Sequence, residues 1–319
     1  METHKPSLIE SITVFFITIL VLALLLEFVL VFKNKDGRNY DIEMWKYSRT
    51  LKRVSSNPKL GHEHTPNKSA KLQNIDIRIN SLGMRGDEPK QAATKILMLG
   101  SSITFGWGVA EDKIYSELLE SKLKAEGKDV EVYNAGIGNY NSSREIELFF
   151  SKLQDLKPNI IILNSFIRDA EMIPAPKRNW LLENSQLAVT IWSRLEQFKR
   201  KFGVEKSFEE HYKEIYADDY PGWVEMQKAF ERLSAYAQAN HVRVIVTMIP
   251  DIHNLKNYPF VFIHDKIARL AQAHGFEYTD FLDSFKDIDD QASLWAMPGD
   301  PHPNETGHGL MVNQLYRII

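Results

Sequence analysis

Two kinds of hydrophobic pattern divide the chain. From Ile12 to Leu26 no position is charged, and apart from Glu27 the run continues to Phe32, giving 21 residues; ~20 suffice to span a bilayer. The segment is apolar around its whole helical circumference, which separates it from a helix that faces a soluble core on one side. No small-residue cleavage pattern closes it, so residues 1–32 are expected to form an uncleaved anchor, with the membrane contact over 12–32. Glu27 falls near the end of the run, where a carboxylate reaches the interface.

Residues 33–90 are polar and mixed, and read as a stem or linker that partly folds onto the domain after it, with IDIRINSLGMRG its most ordered part. From Lys95 onward, short apolar runs alternate with helical periodicity. KILMLG, VEVYNAG, NIIILNSF, VRVIVTMIP and FEYTDF predict strands. Residues 114–126 and 144–156, MQKAFERLSAYAQAN, HDKIARLAQAHG and the terminal GLMVNQLYRII predict helices. Strands separated by helices of this length imply an α/β domain over 91–319, built on a parallel, doubly wound sheet. An aromatic and basic insertion, 170–222, interrupts the alternation and is expected to form a lid or substrate wall.

Composition narrows the chemistry. With 25% charged and 44% hydrophobic residues and a formal net charge of −3, there is no overall electrostatic pull toward nucleic acid, and no basic stripe with interleaved aromatics. The absence of cysteine excludes disulfides, thiol nucleophiles and cysteine metal sites. His62 and His64 in GHEHTPN are too sparse a pair to imply a metal.

In a parallel sheet the functional crevice lies beyond the carboxyl ends of the strands. The segments found there are GSSIT, NAGIGNYN, NSFIRDAE, PDIHN and, last, LWAMPGDPHPNETGH. LGSSITFGWG has two readings: a tight turn of small residues that caps a helix, or a turn that lifts a serine hydroxyl to where an imidazole can activate it. Asp300 and His302 lie two residues apart in DPHPN, a spacing that lets the carboxylate hold one ring nitrogen while the other faces a serine. Trp107, Tyr140 and Trp295 flank these blocks as cleft wall or as stacking surfaces for a sugar. His308 reads as a packed structural histidine, and His253 as a residue at the cleft edge.

Taken in order, INSLGMRG, LGSSITFGWG, NAGIGNYN, NSFIRDAE and LWAMPGDPHPNETGH resemble the blocks of the SGNH, or GDSL-type, hydrolase superfamily, over roughly Ile79 to Ile319. The resemblance implies a three-layer α/β/α, flavodoxin-like fold and no cofactor. It also implies Ser102 as nucleophile, His302 as general base and Asp300 as its orienting partner, with the N–H groups of Ser102 and Gly136 lining an oxyanion hole. Two positions depart from the family pattern. Ser101 stands where aspartate usually precedes the serine, and Arg168-Asp169 stands where Asn-Asp usually supplies an oxyanion donor. Loss of such a donor costs on the order of a hundredfold in rate. Arg168 could donate instead, pair with Asp169 or Glu171, or bind an anionic substrate group.

The expected function is a membrane-anchored serine esterase or acylhydrolase acting on acyl esters of a carbohydrate or lipid. The alternatives are an O-acetyltransferase of an exported polysaccharide and a non-catalytic carbohydrate-binding or assembly protein. Lys33, Lys35 and Arg38 follow the anchor while only Lys5 precedes it, which taken alone points the domain inward. Anchored relatives in envelope systems point outward, and a periplasmic or extracytoplasmic domain is the expectation.

Overall fold

The computed structural model describes residues 7–174, 179–202 and 207–319. Helices α1 (Leu8–Lys33) and α2 (Tyr40–Thr50) come first, then two antiparallel pairs, β1 (Lys52–Val54) with β2 (His62–His64) and β3 (Lys68–Leu72) with β4 (Ile75–Ile79). Next come β5 (Thr94–Gly100), α3 (Ser102–Phe105), α4 (Tyr115–Ala125), β6 (Val130–Gly136), α5 (Ser142–Leu148) and β7 (Ile160–Phe166). Among the described residues, helices α6 (Trp180–Asn184), α7 (Gln186–Phe202), α8 (Phe208–Ile215) and α9 (Pro221–Asn240) follow. The chain closes with β8 (Arg243–Ile249), α10 (Val261–Ala273), β9 (Glu277–Asp280), α11 (Leu282–Phe285), β10 (Trp295–Met297), β11 (Asp300–Pro303) and α12 (Glu305–Leu315).

These elements form two units, Met1–Arg49 with Lys177–Glu205, and Thr50–Pro176 with Lys206–Ile319. The stretch read as a stem is thus divided, 33–49 lying in the first unit and 50–90 in the second. The middle of the 170–222 insertion falls in the first. In that unit α1 has no buried side chain and a mean hydropathy of 3.0 over its most apolar window, so it is long and apolar enough to cross a membrane.

In the second unit five parallel strands run in the order β6-β5-β7-β8-β9. Alternation along each strand splits its apolar residues between two cores. Leu97, Leu99, Ile161, Leu163, Val244 and Val246 pack on one face with Ile146, Phe230 and Ile267 from α5, α9 and α10. Ile96, Met98, Ile160, Ile162 and Ile245 pack on the other with Leu119 and Val312 from α4 and α12. The result is the expected three-layer α/β/α arrangement. From β5 the chain turns outward to β6 and later returns to the other side as β7, so the strand order reverses at β5 and a crevice opens beyond its carboxyl end.

Two local expectations change. The segment around Asp300, which is not among the predicted strands, is an antiparallel hairpin of β10 and β11 in which Met297 pairs with Asp300, and Gly299 supplies the left-handed turn (φ 80°). The helix expected over 144–156 stops at Leu148 and continues as a wide turn, Phe149–Leu153, and a tight one, Gln154–Leu156. Pro158 disfavours helical backbone in the residue before it, and Lys157 leaves the helix in the left-handed region (φ 49°).

On α12, His308 is fully buried and its Nδ1 accepts the Tyr115 N–H (3.1 Å). Burial, with the Arg85 cation adding to it, pushes the ring down to about 3. The native state therefore binds fewer protons here than the unfolded chain between pH 6.5 and about 3, and stability present above pH 6.5 is lost as pH falls through that window. At pH 5 this one group costs about 2 kcal/mol. Urea unfolding at pH 8 and pH 5 should show wild type losing about that much more than His308→Gln, whose amide stays neutral; equal losses would refute the assignment.

Candidate active site

The end of β5 is shaped by close approach. A Cβ on Gly100 would lie 1.9 Å from Thr104 Oγ1, so only glycine lets α3 begin directly over the strand. Ser101 is the N-cap of α3 and makes no side-chain capping bond. Ser102 is the first residue of the helix, so its N–H stays outside the helical ladder. The backbone of α3 and the turn after it are held from two sides. Asn134 Nδ2 donates to Thr104 O (2.7 Å). Buried Arg85 donates from Nη1 to Phe105 O and Gly106 O and from Nη2 to Val109 O, each at 2.7 Å. Arg85 belongs to the INSLGMRG block, and it satisfies carbonyls that a helix end leaves orphaned.

The β10–β11 hairpin delivers the complementary groups. His302 Nε2 lies 2.8 Å from Ser102 Oγ, and His302 Nδ1 lies 2.5 Å from Asp300 Oδ1. A proton on Nδ1 facing the carboxylate leaves Nε2 to accept from the serine hydroxyl. Asp300 is fully buried, and its remaining capacity is filled. The His302 N–H donates to Oδ1 (3.2 Å), while Trp107 Nε1 (3.0 Å) and Gln73 Nε2 (3.4 Å) donate to Oδ2. A buried carboxylate with several donors stays where they hold it. Removing one donor should therefore loosen the hairpin: Trp107→Phe is expected to lower kcat about tenfold and stability by about 1–2 kcal/mol. Ester hydrolysis together with thermal unfolding checks it, and unchanged values in both would refute it.

The other expected site residues are placed differently. The N–H of Gly136, expected to face an oxyanion, donates to Asn134 Oδ1 (3.0 Å), because the side chain that braces α3 folds back onto its own strand end. Arg168 directs Nε and Nη2 to Glu171 Oε2 (3.0 and 2.8 Å) and is half-exposed. Glu171 is thus one of the partners weighed for it. Asp169 is buried and accepts from Ser142 Oγ (2.5 Å) and the Phe166 N–H (3.2 Å); burial raises its pKa. Asn164 lies deep in the sheet, where Nδ2 donates to Leu99 O (2.7 Å).

Trp107 and Tyr140 are buried, which makes them wall rather than stacking surface. Trp295 is half-buried, with its ring centroid 6.1 Å from that of His253. His253 repeats the local geometry of His302: its Nδ1 is 2.5 Å from Asp251 Oδ1, two residues earlier. That hydrogen bond holds its pKa above the usual histidine range. Gln73 has no signal in the linear sequence that ties it to the site, and Arg85 has only its place in the INSLGMRG block.

The model of a GDSL-like lipase/acylhydrolase family matches residues 98–310, a span that holds Ser102, Asp300 and His302. None of the curated proteins compared with the sequence matches it. Among solved structures, an α/β hydrolase enzyme from the metagenome of Lake Arreo is similar at 18% identity, covering 72% of this chain and 95% of that one with a TM-score of 0.47. The psychrotrophic esterase EstA from Pseudoalteromonas sp. is similar at 17% identity (70% and 95% covered, TM-score 0.44). The acetylxylan esterase Axe2 from Geobacillus stearothermophilus is similar at 16% (72% and 95%, TM-score 0.47). With more than half of its length matched by the family model, the chain belongs to the GDSL-like lipase/acylhydrolase family.

Proposed function

We propose that this chain is a membrane-anchored serine esterase that removes acyl groups from a carbohydrate or lipid, with Ser102 as nucleophile. The observation that carries the reading is the continuous hydrogen-bonded line from Ser102 Oγ through His302 to Asp300. Ser102 Oγ attacks the ester carbonyl while His302 Nε2 takes its proton, and the carbonyl π electrons move onto oxygen. The tetrahedral oxyanion is stabilised by nearby N–H groups, of which that of Ser102 is the best placed at a helix start. When it collapses, the C–O bond to the alcohol breaks and His302 returns the proton to that oxygen. Water then repeats the sequence on the acyl-enzyme, with His302 taking its proton, and releases the acid. Asp300 keeps the ring oriented and balances its charge while it is protonated. A sugar hydroxyl in the place of water would make the same chemistry an acyl transfer.

A fluorophosphonate probe tests the reading, since it phosphonylates a serine activated in this way. One adduct on the Ser102 peptide, with hydrolysis of short-chain esters, is the expected result. A folded protein that neither labels nor hydrolyses would favour the non-catalytic reading, to which the engagement of Arg168 by Glu171 lends weight. The anchor in this proposal is α1, with the second unit outside the cytoplasm. Protease added to intact spheroplasts should then digest that unit, and protection would reverse the topology.

A further inference from the structure

Helix α7 has two unlike faces. Gln186, Val189 and Ser193, spaced by three and four, are buried. Gln186 Oε1 accepts from Asn34 Nδ2 (2.9 Å), and the Ser193 hydroxyl donates to Asp41. The opposite stripe, Ile191, Trp192, Leu195 and Phe198, is 52–60% exposed, and α6 extends it with Trp180 (75%) and Leu181 (56%). A contiguous apolar patch of this kind marks a surface that meets something other than water.

The start of α7 identifies that surroundings. Glu27 of α1 accepts hydrogen bonds from Ser185 Oγ (2.8 Å) and from the N–H groups of Gln186 (2.8 Å) and Leu187 (2.9 Å). The carboxylate thus satisfies orphan donors at the start of α7 and complements its dipole. With the Asn34–Gln186 bond, this fixes the first turn of α7 at the level of residues 27–34 of the first helix and its exit. That is the level at which the apolar run gives way to Lys33, Lys35 and Arg38, hence where hydrocarbon would meet headgroups. It also accounts for Glu27: a charge at this depth is tolerated because three donors take the place of water. Exposed Arg194 flanks the apolar stripe and exposed Lys199 stands at its C-terminal end, with Arg200 and Lys201 next in sequence. An exposed apolar stripe that carries tryptophan and is bordered by cations suits a helix that rests in a membrane surface.

We propose that α6 and α7 lie in the lipid–water interface, their apolar stripe among headgroups and upper acyl chains, as a second membrane contact beside α1. The inference rests on the membrane-spanning reading of α1 and assigns the middle of the insertion to lipid.

The absence of native cysteine allows a direct test. Leu195→Cys, Arg194→Cys and Val21→Cys would each carry a nitroxide in the full chain, reconstituted in phosphatidylcholine/phosphatidylglycerol nanodiscs. Power saturation would compare collisions with oxygen, which concentrates in lipid, and with nickel-EDDA, which stays in water. The Leu195 label should show an oxygen-to-nickel collision ratio at least ~threefold that of Arg194. Equal nickel access at both positions, with the Val21 label in lipid, would overturn the inference while leaving the span intact. Protection of the Leu195 label from both agents would overturn it in favour of a protein partner. A Val21 label open to nickel would overturn the spanning reading itself, and the interfacial helix with it.

Discussion

Ser102→Ala is expected to lower kcat for p-nitrophenyl acetate by on the order of 10⁴-fold, and His302→Ala by a similar factor. The two losses should not add. Ser102 Oγ and His302 Nε2 share one hydrogen bond of 2.8 Å, and neither has its chemical role without the other: an alcohol at neutral pH is a weak nucleophile, and without the serine no acyl-enzyme forms for the base to hydrolyse with water. The double variant should therefore be about as slow as either single one, retaining only the residual rate that binding and oxyanion stabilisation supply. Fluorophosphonate labelling should vanish for Ser102→Ala and become very slow for His302→Ala. Native-like circular dichroism would show that neither change acts through unfolding, since Ser102 is only partly buried and His302 keeps a 15% exposed side chain. Ser102→Ala with activity within tenfold of wild type would place the nucleophile elsewhere and end the triad reading.

Much of the fold was legible because it rests on period and length. Leu97, Leu99, Ile96 and Met98 fall on alternate faces, and the two cores receive them as alternation dictates. Ser102, Asp300 and His302 were legible for a different reason: each sits in a short block whose order along the chain carries information. Their supports were not. Gln73 reaches Asp300 across 227 positions from a hairpin turn, and Arg85 grips the turn after α3 from a segment read as stem. Such contacts depend on how strands of unrelated sequence are placed, and no local pattern encodes them. The β10–β11 hairpin escaped for a simpler cause: its strands are three and four residues long and contain proline, which reads as loop. The partition of the insertion is a further case. The sequence places Glu27 near the end of an apolar run, and only three dimensions show its three hydrogen bonds to residues 185–187.

Gly136 marks the difference between a motif and the reason for it, and Gly136→Ala carries the second large expected effect. A Cβ at this position would lie 2.2 Å from Phe105 N, 2.6 Å from Thr104 C and 2.8 Å from Phe105 Cα. All three are backbone atoms, which cannot swing aside as a flexible side chain would. They are also pinned, Thr104 O by Asn134 Nδ2 and Phe105 O by Arg85 Nη1. Relief requires α3 to lift off β6, breaking buried hydrogen bonds and moving Ser102 away from His302. The expected cost is about 3 kcal/mol or more, within the range that overpacking and broken networks produce. Urea unfolding should show it, together with slower fluorophosphonate labelling of the fraction that stays folded. Gly309→Ala is the control: it lies in α12 with nothing within 4 Å of its added Cβ, so alanine there should leave stability equal or raise it by up to ~1 kcal/mol. If Gly136 served chiefly as an N–H donor, alanine would keep that N–H and stability would hardly change. A loss of stability confined to Gly136→Ala would mean that the glycine is needed so that the nucleophile's helix can sit on the sheet at all.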